Sequence, residues 1–231
     1  MSEETEPLDD EVTDEELDSF IQGLAPESPG WTSTTVVYHG KDTRSILLSG
    51  PVDQELADGI CSQLYLLDRE SKEPIMMHIN TPGGSITDGL AIYDTIKCIR
   101  SPVIGIVSGA CYSAGLIILA ATDLRLATPS ASFFYHQPIM NPQELNSTET
   151  VQHTVEMYRW SQKHMDKIIR KRANISKKKW KQEFEGRVAK HFACKEALKY
   201  NIIDEVMAYS KKPEIVLSGD EEWLDEDEAL D

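Results

Sequence analysis

Between residues 114 and 121 the chain reads Ala-Gly-Leu-Ile-Ile-Leu-Ala-Ala, eight apolar residues without one polar position. A helix lacking a polar face is stable only inside a core, so the rest of the chain must surround this segment. It is far too short to cross a bilayer, which takes about 20 residues. Directly before it stands Ser113, a residue type that starts helices. Earlier still, residues 103–107 (Val-Ile-Gly-Ile-Val) form a continuous apolar run, the signature of a strand covered on both faces. The chain is therefore built around a buried strand and a buried helix, with a hydroxyl near the joint.

The flanking segments extend the same alternation. Residues 45–49 read as a short strand ending at Gly50-Pro51. Residues 53–68 carry helical spacing through Leu56, Ile60, Leu64 and Leu67. Residues 75–79 form the next strand, closed by the turn Asn80-Thr81-Pro82-Gly83-Gly84, and strand, helix, strand in this order predicts a right-handed crossover. Ser85 opens a helix with Asp88 as capping-box partner and Ile86, Leu90, Tyr93 and Ile96 on its apolar face. Residues 124–127 and 131–135 read as short strands, which places His136 at a strand end. Asn146 or Ser147 caps a long helix reaching Arg172, with Val151, Val155, Tyr158, Met165 and Ile169 on one face. A short helix over 192–200 and a last strand over 202–206 complete an α/β chain.

Charge divides the chain more sharply than hydropathy does. Of 39 acidic residues, 11 lie in residues 1–28 and 8 in residues 220–231, and neither stretch contains Lys or Arg. The remaining 20 acids face 23 bases, so the middle is nearly neutral. Segments this acidic repel themselves and bury too little apolar surface to offset the entropy of ordering. We expect an acidic, disordered arm over residues 1–29, one folded domain over 30–210 and an acidic tail over 211–231. The first residues lack the basic and apolar regions of a secretory signal, so a soluble, cytoplasmic protein is expected. Nine Lys and Arg between residues 163 and 181 contain a single aromatic, Trp180. They read as a solvated face rather than a nucleic-acid surface. Cys61, Cys98, Cys111 and Cys194 form no C-x-x-C pair and read as free thiols, without a metal site.

Three short stretches carry chemistry. A serine hydroxyl needs a neighbouring base to take its proton, and the tetrahedral intermediate of acyl transfer needs pre-aimed donors for its oxyanion. Ser113 at a strand-to-helix turn has the unpaired amides of a helix start beside it, Ala114 first among them. Gly84 is the second donor candidate, because a Pro-Gly-Gly turn lets main chain approach a substrate with no Cβ in the way. His136 is the candidate base.

Taken together, Gly109-Ala-Cys-Tyr-Ser113-Ala-Gly115, His136-Gln137-Pro138 and Thr81-Pro82-Gly83-Gly84 resemble the proteolytic subunits of the Clp protease family, serine peptidases of family S14. The resemblance runs from about Arg44 to about Met207. It implies the ClpP/crotonase-like fold of repeated β-β-α crossover units, with a long helix for ring–ring contact. It implies a serine endopeptidase in which Ser113 is the nucleophile, His136 the base, and Gly84 and Ala114 the oxyanion amides. No metal or organic cofactor is implied. The implied partners are further copies of the chain in heptameric rings, stacked in pairs as a tetradecamer, an AAA+ unfoldase for ATP-dependent proteolysis, and polypeptide substrates, with no nucleic acid or membrane.

The third member of the triad departs from the pattern. The family places an aspartate seven residues before the first Glu of a Glu-Ala-x-x-Tyr motif, here Glu196-Ala197-Leu198-Lys199-Tyr200, and counting back gives Ala189. Three possibilities follow: a carboxylate from elsewhere, with Glu183 and Glu185 nearest in sequence, a Ser–His dyad, or a site without turnover in a scaffold or adaptor subunit. The family's glycine-rich strand after His-Gln-Pro is also missing, since residues 139–146 contain no glycine and include Pro142. Residues 75–79 (Ile-Met-Met-His-Ile) lack the tyrosines that help form the family's ATPase docking pockets. An acyl-CoA enzyme of the crotonase group shares the layout and is a further alternative, although its chemistry relies on carboxylates and needs no serine nucleophile.

Overall fold

A computed structural model describes residues 36–40, 43–137, 148–185 and 189–209. The expected arm and tail, the caps Asn146 and Ser147, and the segment 139–146 lie outside the described residues. The elements are β1 (Val36–Gly40), β2 (Thr43–Ser49), α1 (Gln54–Glu70), β3 (Ile75–Thr81), α2 (Ile86–Cys98), β4 (Val103–Tyr112), α3 (Ala114–Ala121), β5 (Leu124–Ala127), β6 (Ser132–His136), α4 (Thr148–Arg172), α5 (Lys177–Trp180) with a π turn at Lys181–Glu185, β7 (Ala189–Ala193), α6 (Cys194–Lys199) and β8 (Glu205–Val206). This is the repeated β-β-α crossover architecture expected from the motifs. Among the described residues no helix is long and apolar enough to cross a membrane.

The main sheet runs β1-β2-β3-β4-β5-β8, and every pairing from β2 onward is parallel. Its core side is covered by helices, and every residue of α3 is buried, as an all-apolar helix requires. The capping of α2 departs from expectation. Ser85 Oγ accepts the Asp88 amide, but the reciprocal arm of the box is replaced, because the Ser85 amide donates to Val52 O at 2.8 Å. Its buried face is also rotated: Gly89, Ile92, Thr95 and Ile96 are buried, whereas Ile86, Leu90 and Tyr93 are partly covered. Gly89 explains the rotation, since a Cβ there would stand 3.3 Å from Ala114 Cβ, so α2 crosses α3 with its small residue innermost.

Strand β4 is longer than its apolar core predicts and makes two sets of pairings. Residues 104–107 pair with β5, and after a bend Ala110, Cys111 and Tyr112 pair with Ser132, Phe133 and Phe134 of β6. The bend is built from Gly109, at φ 100°, and Asn80, whose side-chain oxygen accepts the Ala110 amide at 3.0 Å. The register between β3 and β4 shifts at the same level, and Asn80 fills the gap so created.

Beyond β4, β6 pairs antiparallel with β7, and the period-two alternation of a strand separates packing from chemistry. Phe133 and Tyr135 point inward with Phe192, Trp180 and Phe184 in an aromatic layer, where the Trp180 and Phe184 rings stack at 4.3 Å. Phe134 and His136 are only half-buried on the opposite face. Strand β7 departs from expectation: residues 192 and 193 finish a strand instead of starting a helix, because Phe192 is claimed by Phe133 across the hairpin. The last strand is likewise shorter than the expected 202–206.

The C-terminal elements are clamped by Arg125, which is 3 % exposed. Its guanidinium donates to both carboxylate oxygens of Asp204, at 2.9 and 2.5 Å, and to Asn201 O at 2.7 Å. The bonded guanidinium holds the Asp204 carboxyl below the usual carboxylate range. A depressed carboxyl stabilises the fold at pH values above its unfolded pKa of about 3.9, and that contribution is lost as pH falls through the folded value. Asp204→Asn should therefore cost about 3 kcal/mol at pH 7, the low end for stripping a partner from a buried cation. Urea unfolding should show this difference from wild type shrinking below about pH 4.

Candidate active site

Ser113 closes β4 and starts α3 in a conformation that few side-chain-bearing residues adopt, φ 50° and ψ −117°. Such strained positions cost on the order of 1–3 kcal/mol and need surrounding structure to hold them. Here the Ser113 amide donates to Phe134 O at 2.8 Å, and Ser113 O accepts the Leu116 amide at 3.0 Å. The first bond ties the serine to β6 two residues before His136. Ser113 is only 8 % exposed, and its hydroxyl does not cap its own helix.

The glycine turn lies directly against this joint. A Cβ on Gly83 would meet Tyr112 O at 2.6 Å and Ser113 Cβ at 2.7 Å, and one on Gly84 would meet Val52 O at 2.3 Å. Both glycines also have positive φ, 87° and 149°. The turn is held from below by Thr81, fully buried, whose hydroxyl donates to Gly50 O at 2.6 Å and accepts the Gly83 amide at 3.0 Å. From the side, the Val52 amide donates to Gly83 O at 2.8 Å. These bonds use the amides of Val52 and Gly83, and that of Ser85 is taken by Val52 O. The amides of Gly84 and Ala114 are left without a main-chain or side-chain acceptor among the described residues. Two N–H groups are thus uncommitted among the described residues, one in the glycine turn packed against Ser113 and one in the residue that follows it.

His136 ends β6. Its Nδ1 stands 2.6 Å from the main-chain carbonyl of Gln137. Burial pushes its pKa down, and the bond to Gln137 partly offsets this. Among the described residues no hydrogen bond joins it to Ser113, although both are bound to one strand pair.

The β6–β7 register sets His136 directly opposite Ala189, so the position reached by counting along the sequence is the cross-strand neighbour of the imidazole. Glu183 does not replace the missing carboxylate. It is engaged with Lys190 Nζ at 3.1 Å and Tyr200 OH at 2.9 Å. Lys190 is paired with Tyr135, whose side chain leaves the hairpin on the opposite face from His136. The side chain of Glu185 lies outside the described residues. Cys111, two residues before Ser113, is buried and its thiol is pushed far up by desolvation, which removes it as a nucleophile.

Two supports for the site were not anticipated from sequence: Phe134, whose carbonyl pins Ser113, and Thr81, which braces the glycine turn. The signal for Thr81 was present, since a hydroxyl just before Pro-Gly-Gly has few places to go except the turn's own amides. A main-chain contact such as that of Phe134 leaves no residue-type signal.

Comparison with known proteins places this geometry. Residues 31–210 match the family model described as Clp protease. The ATP-dependent Clp protease proteolytic subunit of Lactococcus lactis subsp. cremoris is 33% identical over 168 residues, covering 71% of this chain and 83% of its own. That of Streptococcus mutans is 35% identical over 168 residues, covering 71% and 84%. Among solved structures, a ClpP1 point mutant from Listeria monocytogenes superimposes with a TM-score of 0.66 at 26% identity, covering 73% of this chain and 93% of that one. Nothing in these comparisons supports the acyl-CoA alternative. The fold, the glycine turn packed on Ser113 and the extent of the match establish that the chain belongs to the Clp protease family.

Proposed function

We propose that this chain is a serine endopeptidase subunit that hydrolyses peptide bonds inside a ring-shaped oligomer in the cytoplasm. Ser113 Oγ attacks the scissile carbonyl carbon while its proton passes to His136 Nε2. The amides of Gly84 and Ala114 receive the oxyanion, and His136 then gives its proton to the departing amine as the C–N bond breaks. Water releases the acyl group by the same steps in reverse roles. The observation that carries this reading is a pair of uncommitted amides, one directly after a strained, helix-starting serine and one in the glycine turn packed against it. Assembly with further copies is supported by family membership and by α4, which leaves Met157 and Trp160 49% and 58% exposed. An AAA+ unfoldase that delivers polypeptides is carried over from the family by analogy.

A second reading is favoured by one specific feature. Ala189 offers His136 no carboxylate, and losing the orienting Asp of a triad costs about 10⁴ in kcat. On that reading the chain is a ring subunit serving as scaffold or adaptor. A fluorophosphonate probe separates the two: wild type labels if the first holds, and a well-folded particle stays unlabelled if the second does.

In the labelling experiment, Ser113→Ala should abolish the adduct. His136→Ala should slow it by about 10²-fold or more, the usual contribution of a general base. Gly84→Ala, which drives a methyl into Val52 and shifts one donor, should slow it by about 10²-fold. Labelling that survives loss of Ser113 would contradict the assignment. Because burial lowers the pKa of His136, the neutral base persists below its ordinary value of about 6.5. The acid limb of the labelling rate should therefore fall below that pH, and a limb above it would show that His136 is not the titrating base.

A further inference from the structure

We propose that the main-chain carbonyl of Gln137 stands in for the third triad member, accepting the Nδ1 proton of His136 and so presenting Nε2 as the free base toward Ser113. The inference rests on the reading of the site as a hydrolase. It explains how a Ser–His pair can work without a carboxylate at position 189.

Donor chemistry decides the tautomer. A carbonyl oxygen has no proton to give, so at 2.6 Å the ring nitrogen facing it must be the donor. In a neutral imidazole only one nitrogen carries hydrogen, and Nε2 is then left with its lone pair. This is the tautomer that a triad aspartate enforces. The other candidates among the described side chains are elsewhere. The methyl group of Ala189 faces His136 across the hairpin and accepts nothing. Glu183 is bound to Lys190 and Tyr200, and Asp166 accepts from Gln162 Nε2 and from the hydroxyl of Tyr135, which leaves β6 on the face opposite His136. The sequence narrows the backbone here as well, since a residue preceding proline is steered away from helical toward extended conformation, and Gln137 precedes Pro138.

A carbonyl and a carboxylate differ in one respect that can be measured. Both hold the proton on Nδ1, but only the carboxylate brings a full charge against the imidazolium that forms as Ser113 loses its proton. A triad whose tautomer is wrong loses about 10⁴. One that lacks only the charge should lose far less, because a charge-assisted hydrogen bond is roughly twice as strong as a neutral one. Gln137 is thus a positioning residue acting through its backbone, and the missing aspartate costs little more than about tenfold to thirtyfold by the same comparison.

The test uses the full-length chain with ¹⁵N-labelled histidine, its six imidazoles resolved by comparison with His136→Ala. Above the pKa of His136, we expect its Nδ1 protonated and its Nε2 unprotonated. The opposite tautomer would overturn the proposal. Ala189→Asp should accelerate fluorophosphonate labelling by no more than about thirtyfold, whereas a rise of about a hundredfold or more would mean that no tautomer was held before. Gln137→Gly, which loosens the main chain, should label about tenfold more slowly than Gln137→Ala, which keeps the carbonyl in place; equal rates would count against the carbonyl. If wild type is never labelled while the tautomer is as stated, the hydrolase reading fails and the hydrogen bond is structural only.

Discussion

A methyl group at position 83 would sit 2.6 Å from Tyr112 O and 2.7 Å from Ser113 Cβ, distances that packed atoms do not tolerate. The site depends on this closeness. With no Cβ in the way, the turn after β3 lies flat against the joint between β4 and α3. The same contact explains the other small residues nearby. A Cβ on Gly115 would stand 2.7 Å from Thr81 Cγ2, and Gly89 lets α2 approach Ala114. A buried helix, a glycine turn and a capped helix therefore converge on residues 113–115, and the conformational cost of Ser113 is carried by this packing.

His136 arrives from a different layer. β4 bends at Gly109 so that its last residues leave the β5 pairing and join β6, and the amide of Ser113 binds Phe134 O. Ser113 and His136 are thus joined through two residues of one strand rather than through flexible loops. Beneath them, Tyr135 donates to Asp166 at 2.5 Å and packs edge-on against Trp180 and Phe184, which anchors the hairpin to α4 and α5. Gln162 bonds the same Tyr135 hydroxyl at 2.6 Å, so the anchor is polar as well as aromatic.

Much of this was legible in the residues because the strongest signals are local. An eight-residue apolar run must be buried, and α3 is buried throughout. Strand, helix, strand through residue 81 follows from periodicity and turn chemistry, and the serine at the helix start follows from both. What was not legible depends on distant partners. The rotation of α2 is decided by Ala114 meeting Gly89, and the Ser85 amide is taken by Val52, neither of which a capping pattern reveals. Residues 192 and 193 belong to β7 rather than to the helix because Ala-Lys-His-Phe-Ala, with little strand character of its own, becomes a strand by pairing with β6. The burial of Arg125 likewise depends on Asp204, far along the chain, which binds its guanidinium. Position 189 is the opposite case: counting from a motif found the residue, and the strand register put it across from His136.

That position also shows why fold and turnover are separable here. Residues on one face of β7 contact the aromatic layer, as Phe192 does, and an apolar-to-polar change among them would cost packing. Ala189 belongs to the other face, half-exposed, where neither an alanine nor an aspartate disturbs the core. Nothing in the stability of the hairpin therefore demands a carboxylate at 189. A shift of register by one residue would exchange the two faces, setting Lys190 against His136 and breaking its bonds to Glu183 and Tyr200. The hairpin is thus held firmly in the register that keeps an imidazole at the site, while the residue opposite that imidazole is constrained only by chemistry.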